Sequence, residues 1–480
     1  MHYSIVIYIL GMVLRVEAAL LLLPFVTGLI YREPQAWAFL LVAIITTAVS
    51  LLLTAKKPAK YVFYAREAIV STSLAWIIIS VFGALPFVIN GDIPSFTDAL
   101  FETISGFTTT GSSILYNVEA LSHASLFWRS FTHWVGGMGV IVFMIAIIPM
   151  TGGYNAQLMR AESPGPTFGK LVPKVKESAK ILYLIYFGMT LLQIVLLLVC
   201  RMPVFDTLCM AFGTAGTGGF GIRNDSTASY TIAQQAVLTV FMILFGINFN
   251  AYYYLLGRDK RQAFRMEEVR AYLGIILVSI LMITVDIRGA FDSLFLAFHH
   301  AAFQVSTIIT TTGFSTVDFD QWPSLSKGIL LLLMFIGACA GSTGGGIKVS
   351  RVVLMARMVK QQIKQYIHPK SVSVVKMDGK TVDHETVRSV SIYLVLYVFL
   401  FILSMFLLTL DPSKDLLTDF TAVAATFNNI GPGLALVGPT RNFAELTALS
   451  KYVLMFDMLA GRLELYPMVM LFVPVVWKKN

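Results

Sequence analysis

Stretches of about 20 apolar residues, the length needed to cross a hydrocarbon core of about 30 Å, recur from one end of this chain to the other. Ten qualify, near residues 4–29, 36–55, 68–90, 127–150, 181–202, 233–257, 271–287, 327–347, 389–410 and 449–476. Lipid offers no partner to a free peptide group, so each stretch is expected to be helical, and irregular backbone at that depth must line a protected cavity. Only 13% of the 480 residues are charged and 56% are hydrophobic, whereas a soluble domain carries about 25% charged residues. A water-soluble enzyme is therefore excluded. Cys200, Cys209 and Cys339 lie among apolar or small residues without metal-ligand spacing, which indicates neither a disulfide framework nor a zinc site. The first apolar run lacks a basic start and is interrupted by Arg15 and Glu17, so it is expected to be a retained helix rather than a cleaved signal.

Lys and Arg accumulate in cytoplasmic loops, which orients the spans. With the N-terminus inside, the cytoplasmic segments hold Lys56, Lys57, Lys60, Arg66, the run from Arg160 to Lys180, Arg258 to Arg270, Arg351 to Arg388, Lys478 and Lys479. These are about 24 of the 36 basic residues, against about 9 outside and 3 (Arg15, Lys348, Arg462) within the membrane. Both termini are then expected to be cytoplasmic. The acidic residues divide the other way, giving roughly +15 inside and −6 outside. The outer face is expected to attract cations.

After two N-terminal helices the chain repeats a unit: an apolar span, a short amphipathic stretch, a Thr/Gly-rich loop and a second apolar span. The loops are Thr108-Thr109-Thr110-Gly111-Ser112-Ser113, Ala215-Gly216-Thr217-Gly218-Gly219-Phe220, Thr310-Thr311-Thr312-Gly313-Phe314-Ser315 and Asn428-Asn429-Ile430-Gly431-Pro432-Gly433. Aligned on Gly111, Gly218, Gly313 and Gly431, they are separated by 107, 95 and 118 residues. Four copies exhaust the chain. We divide it into two peripheral helices (1–60) and four units at 61–152, 153–258, 259–380 and 381–480. The stretches before the loops, 96–106, 206–213, 294–307 and 417–427, are too short to span and fit re-entrant half-helices. All four enter from the same outer face, each aiming the negative end of its dipole at the membrane centre.

A dehydrated monovalent cation needs a cage of oxygen dipoles in place of its water, held loosely enough that the ion can leave. Four loops about one axis supply rings of carbonyls. Glycine adopts positive φ at little cost, and Thr hydroxyls add further oxygen. No Asp or Glu lies within the loops, whereas Asp92, Asp98, Asp206, Asp225, Asp292, Asp318, Asp320, Asp415 and Asp419 surround them. These are read as a vestibule that concentrates cations, with helix capping as the structural alternative.

Together with His133-Trp134-Val135-Gly136-Gly137-Met138-Gly139, the segment Gly341-Ser342-Thr343-Gly344-Gly345-Gly346-Ile347-Lys348 and the ending Ala460-Gly461-Arg462-Leu463-Glu464-Leu465-Tyr466-Pro467, these loops resemble the Trk/Ktr/HKT superfamily of potassium-uptake membrane subunits. The two extra N-terminal helices are most similar to its Trk branch. The resemblance implies an all-α membrane protein of four tandem membrane–pore-loop–membrane units in pseudo-fourfold arrangement around one pore. It places the potassium filter on Thr109, Thr110, Gly111, Gly216, Thr217, Gly218, Thr311, Thr312, Gly313, Asn429, Ile430 and Gly431. Glycine in all four loops resembles the potassium-selective members; sodium-selective relatives carry serine in the first. The implied gate is the Gly-rich break of the third unit, Gly341, Gly344, Gly345 and Gly346 with Lys348 at its end, opposite Arg462. An arginine in an apolar helix must face a cavity or a partner, and pairing with Asp457 or Glu464 is the alternative.

The resemblance further implies potassium as the transported substrate, no cofactor bound by this chain, a homodimer in membrane lipid, and a cytosolic nucleotide-binding regulatory ring (TrkA-like) docking on the basic inner loops. A proton- or sodium-coupled symporter on the same fold is the alternative function. Nothing points to an enzyme or to nucleic acid. Gly216 to Gly221 matches G-x-G-x-x-G without a strand or ribose acid, and Gly341 to Gly346 lacks the Gly-Lys-Ser/Thr of a phosphate loop. His133, His299 and His300 are expected to be packed or hydrogen-bonded rather than metal ligands.

Overall fold

The computed structural model describes residues 1–58, 64–139, 175–257, 260–371 and 374–478. Helices α1 (Tyr3–Leu20) and α2 (Leu22–Ile30) form one span and return through α3 (Ala36–Thr54). Polar groups pin this apolar pair: Ser50 Oγ donates to Gly11 O at 2.6 Å, and Arg15 reaches Thr54 Oγ1 at 2.6 Å. The first unit is α4 (Ala65–Ile89), α5 (Phe96–Phe107) and α6 (His123–Gly137). The second is α7 (Val175–Val199), α8 (Val204–Ala215), α9 (Ile232–Phe245) and α10 (Phe249–Leu256), followed by the short α11 (Lys260–Arg265). The third contains α12 (Glu267–Ile287), α13 (Leu294–Ile309), α14 (Ser324–Ile336) and α15 (Val349–Ile367). A small hairpin, β1 (Lys376–Met377) with β2 (Lys380–Thr381), leads to the fourth: α16 (His384–Leu408), α17 (Leu416–Phe427) and α18 (Ala448–Arg462), ending in α19 (Tyr466–Met470) and α20 (Pro474–Trp477).

Local sequence explains where these helices start. Ser95, Ser122, Ser293 and Thr447 accept from the third residue beyond at the starts of α5, α6, α13 and α18, and Thr231 with Gln234 forms a capping box on α9. The long helices turn apolar side chains outward: Val395, Phe399, Ile402 and Phe406 are exposed on α16, as are Leu184, Phe187 and Leu191 on α7. In a bilayer this is the lipid-facing surface. The two ends of the chain meet, with the Met1 amino group donating to Lys478 O at 3.0 Å.

Among the described residues six helices are long and apolar enough to cross a membrane, and α9 with α10 makes a seventh span bent by 91°. The second spans are interrupted: in the third unit at the Gly-rich break that the resemblance implies, and in the others where hydropathy alone suggests a continuous helix. The 233–257 stretch breaks after Phe245, and Asn248 caps the departing α10 by accepting from Asn250 N at 2.9 Å. The 327–347 stretch stops at Ile336, where Gly337 takes φ +71. The 449–476 stretch stops at Arg462, with Glu464 and Leu465 both at positive φ. For 127–150, α6 ends at Gly137, and residues 140–150, with most of the basic run from Arg160, lie outside the described residues. Hydropathy is blind to these breaks because the backbone leaves the helix without leaving an apolar neighbourhood.

Close backbone contacts account for the glycines near these breaks. A Cβ on Gly136 would stand 1.8 Å from Phe107 O, and one on Gly461 would stand 2.1 Å from Phe427 O, so two second helices rest directly on the last carbonyls of their own short helices. Gly136→Ala is therefore expected to destabilise the protein by about 1–3 kcal/mol. Gly188→Ala, where a Cβ meets nothing within 4 Å, is expected to leave it unchanged. Thermal unfolding of the two variants in detergent micelles makes the comparison.

Candidate functional site

The four short helices α5, α8, α13 and α17 end in the same way. Thr110 N donates to Ser105 O at 2.9 Å, Gly218 N to Gly213 O at 2.9 Å, Thr312 N to Thr307 O at 2.8 Å and Ile430 N to Ala425 O at 2.8 Å. One residue earlier, Thr109, Thr217, Thr311 and Asn429 donate three residues back, at 3.0 to 3.1 Å. This pair of bonds is a Schellman ending, in which the residue after the cap is left-handed and usually glycine. Here that position holds Thr109 (φ 56), Thr217 (φ 54), Thr311 (φ 57) and Asn429 (φ 55). Asn tolerates the left-handed region; a β-branched residue there costs about 1–2 kcal/mol, a strain that clusters at functional sites.

Two residues on, Gly111, Gly219, Gly313 and Gly431 again take positive φ, at 81, 76, 92 and 101°. This register corrects the alignment on Gly218: the second loop reads Thr217-Gly218-Gly219, one residue later, and Gly216 occupies the cap position of Thr108, Thr310 and Asn428. A run of glycines cannot be registered by residue type alone, whereas backbone dihedrals distinguish its members. Around these glycines the loops close on one another. A Cβ on Gly111 would lie 2.0 Å from Gly218 O, on Gly219 1.9 Å from Thr312 O, on Gly313 2.2 Å from Ile430 O, and on Gly431 2.9 Å from Thr110 O. Each unit thus presents the same carbonyl to its neighbour's glycine in the cyclic order one, two, three, four, one. Thr312 O also lies 3.6 Å from the Gly111 Cβ position across the ring. Hydrogen bonds fasten the joints: Ser112 Oγ to Gly431 O at 3.0 Å, Asn429 Nδ2 to Thr110 Oγ1 at 2.9 Å, Val118 N to Asn224 Oδ1 at 2.8 Å, Thr227 Oγ1 to Ser315 O at 2.6 Å and Ala435 N to Asp320 Oδ2 at 3.1 Å.

Under the ring lies the glycine segment of the third unit, non-helical from Gly337 to Lys348 with positive φ at Gly337, Gly341, Gly346 and Lys348. Gly345 N donates to Thr311 Oγ1 at 2.6 Å, and a Cβ on Gly344 would stand 3.0 Å from Thr310 O. Arg462 faces this segment: Nη1 donates to Thr343 O at 2.7 Å, and Nη2 to Gly137 O at 2.8 Å and to Gly136 O. Of the carboxylates weighed as alternative partners, Asp457 accepts from Ser404 Oγ at 2.6 Å and Glu464 pairs with Arg351. Lys348 turns its ammonium back onto the carbonyls of Gly344 and, at 3.1 Å, of Gly345.

The sequence profile described as TrkH: Cation transport protein matches residues 33–479. The chain belongs to the TrkH family of cation transport proteins. It is 34% identical over the full length of both chains to the Trk system potassium uptake protein TrkH of Salmonella typhimurium, and 32% identical to TrkG of Escherichia coli with 99% of each chain covered. The crystal structure of the potassium transporter TrkH from Vibrio parahaemolyticus superposes with a TM-score of 0.89 at 31% identity, covering both chains entirely. As a TrkH-family member the chain is a multi-pass inner-membrane transporter, not an enzyme, and its fold is the all-α arrangement of tandem units expected above. Among the described residues no group of His, Cys, Asp and Glu is disposed to hold a resident metal ion.

In this TrkH-family chain two residues that hold the ring, Glu102 and Arg129, were not singled out in the sequence. Glu102 of α5 and Arg129 of α6 form an ion pair at 2.7 Å with side chains 0% and 2% exposed. Glu102 also accepts from Ser113 Oγ at 2.9 Å and Ile114 N at 3.0 Å, while Arg129 donates to Gly221 O at 3.1 Å and lies 4.2 Å over the Phe220 ring. One buried pair thereby ties loop one to loop two. A charged pair in an otherwise apolar unit could have drawn notice, but 27 positions separate the partners. His133 repeats the function: its ring accepts from Phe220 N at 3.2 Å through Nε2, so Nδ1 is the donor to Gly106 O at 2.8 Å. His299 contacts Gln235 Oε1 at 2.7 Å and His300 contacts Thr316 Oγ1 at 3.0 Å, both packed as expected. Many outer acids have structural partners: Asp98 pairs with Lys451 at 2.6 Å, Asp206 with Arg223 at 2.9 Å, Asp320 with Lys327 at 3.9 Å, and Asp318 caps a turn.

Removing one member of a buried ion pair leaves the other charge stranded, at a cost of about 3–5 kcal/mol. Glu102→Gln and Arg129→Met are each expected to destabilise the protein by about that amount, and the double variant by less than the sum of the two. A double-mutant cycle of thermal unfolding in detergent reads the coupling.

Proposed function

We propose that this chain carries potassium into the cell through the ring formed by Thr109–Gly111, Thr217–Gly219, Thr311–Gly313 and Asn429–Gly431, and that the 341–348 segment with Arg462 gates the path beneath it. Potassium transport itself follows from membership of the family and from end-to-end similarity to Trk potassium-uptake proteins. The observation that carries the finer proposal is the closure of four equivalent carbonyls into one ring. Such a ring replaces the hydration shell of a monovalent cation without a formal negative charge to trap it. The C-terminal ends of α5, α8, α13 and α17 add the negative ends of four helix dipoles. The buried oxygens Thr109 Oγ1 and Asn429 Oδ1 have no hydrogen-bond partner among the described residues, which leaves side-chain oxygen available just below the ring.

Beneath the filter, the carbonyls of Thr343, Gly136 and Gly137 that Arg462 occupies are the type of ligand a passing potassium ion uses. A fixed guanidinium on them competes with the ion and repels it. Movement of the glycine segment would draw Thr343 away and open the path, with inward flow driven by the membrane potential at about 2.3 kcal/mol per charge per 100 mV. Both termini are cytoplasmic in this scheme, and the four units run over 61–152, 153–258, 259–380 and 381–480. The working assembly is a homodimer whose basic inner loops dock a cytosolic nucleotide-binding ring of the TrkA type. Reversal of the current in liposomes separates channel-like flow from the coupled symporter: channel-like flow reverses at the potassium equilibrium potential and stays there when a pH or sodium gradient is imposed, whereas a coupled symporter shifts it.

Gly111→Ser inserts a Cβ 2.0 Å from Gly218 O. It is expected to lower potassium-over-sodium preference by about tenfold, equivalent to about 1.4 kcal/mol, measured by ion competition against rubidium uptake; unchanged preference would remove the filter assignment. Arg462→Ala is expected to raise basal rubidium flux through the isolated subunit several-fold, and a folded variant with unaltered flux would remove the gate.

A further inference from the structure

Glu268 is unused by the filter and by the arginine, yet it sits at the mechanical root of the glycine segment. It lies in the first turn of α12 and is 3% exposed. Its Oε1 accepts from Ala340 N at 2.6 Å and from Ser350 N at 3.1 Å, one residue before Gly341 and two after Lys348. Its Oε2 accepts from Asn248 Nδ2 at 3.3 Å, at the break between α9 and α10. The roots are drawn together beside it by Val349 N to Ala338 O at 3.0 Å, and tied to the same break by Phe249 N to Gly341 O at 3.0 Å and Cys339 N to Gly246 O at 3.1 Å. A carboxylate makes stronger bonds to amide N–H groups than a neutral acceptor does, and a buried N–H left without a partner is costly. One side chain therefore satisfies both roots of a segment that is otherwise free to move through its glycines.

The neighbouring Glu267 faces the other way. It pairs with Arg357 of α15 at 2.7 Å and accepts from Asp378 N at 3.0 Å, while its own N–H donates to Asp378 Oδ1 at 2.7 Å. Asp378 and Gly379, both at positive φ, form the turn between β1 and β2. Two consecutive glutamates thus connect a polar hairpin to the roots of the intramembrane segment through the rigid start of one helix.

We infer that Glu268 is a positioning residue that holds the 341–348 segment shut by gripping both of its roots, and that Glu267 couples this grip to the β1–β2 hairpin, so that displacing the hairpin releases the segment. The effect on flux rests on the gate proposed above; the effect on the segment itself does not. Cys339, 0% exposed at the first root, reports the two separately. In a Cys200→Ala, Cys209→Ala background it is the one remaining thiol of the full-length chain. Glu268→Gln removes the charge and turns one acceptor into a donor facing Asn248 Nδ2. It is expected to speed modification of Cys339 by a small uncharged maleimide by about tenfold, equivalent to about 1.4 kcal/mol, and to raise rubidium flux in proteoliposomes. Glu267→Gln with Asp378→Ala should shift both readouts in the same direction by a smaller factor. Unchanged Cys339 modification in a monodisperse Glu268→Gln protein overturns the inference. Unchanged modification in the Glu267 and Asp378 double variant overturns the coupling to the hairpin. Faster modification without added flux supports the grip and counts against the gate. Should Glu268→Gln fail to fold, Glu268→Asp, which keeps the charge but shortens its reach, carries the same expectations.

Discussion

A helix that ends in the middle of a bilayer must close its own last carbonyls, because no water is there to do so. Four helices in this protein end buried inside the bundle, and each solves the problem with the same pair of backward hydrogen bonds and a left-handed residue at the same position. That solution dictates the next three residues. It turns the chain sharply, delivers one carbonyl to the neighbouring unit and requires a glycine where that neighbour's carbonyl arrives. Glu102 with Arg129, His133, and the glycines at 136 and 461 are arranged around these ends to hold them.

The fourfold likeness is complete only in the main chain. Loops one and three carry paired hydroxyls, Thr108 with Thr110 at 2.8 Å and Thr310 with Thr312 at 2.7 Å. Loops two and four place Gly216 and Gly218, or Asn428 and Ile430, at the same positions. A ring made of backbone oxygens tolerates this because its geometry depends on dihedrals rather than on side-chain identity. Below the ring the symmetry ends. The glycine segment comes from the third unit only, leans on loop three through Thr311 and faces Arg462 of the fourth. In the function proposed above, an asymmetric obstruction under a symmetric ring would let one segment control a path built by all four units.

Four buried charges beside the ring and the glycine segment each have partners. Arg462 and Lys348 are satisfied by main-chain carbonyls, Glu268 by main-chain N–H groups, and Glu102 by a partner charge with added hydrogen bonds. Carbonyls freed by glycine-rich irregular backbone can receive a side-chain cation or a permeating one. The same unwinding that breaks the helix frees carbonyls, which is why the proposed ion ligands fall on irregular backbone within the bundle.

Hydropathy alone was enough to locate the long spans, because burial in lipid imposes a length and a composition that no other environment shares. Four matched loops with glycine at similar spacing were enough to expose the repeat and the short helices that precede the loops, since both follow from residue type along the chain, whereas the facing of Arg462 toward the glycine segment was implied only by the family resemblance. The register of the second loop was not legible: Gly216, Gly218 and Gly219 are chemically identical in sequence and differ only in the dihedral each adopts. Nor were the 91° break after Phe245, the pairing of Glu102 with Arg129 or the grip of Glu268 on Ala340 and Ser350. These depend on which distant backbones come within about 3 Å of one another, and that distance is set by the packing of four units around an axis, which no single stretch of residues contains.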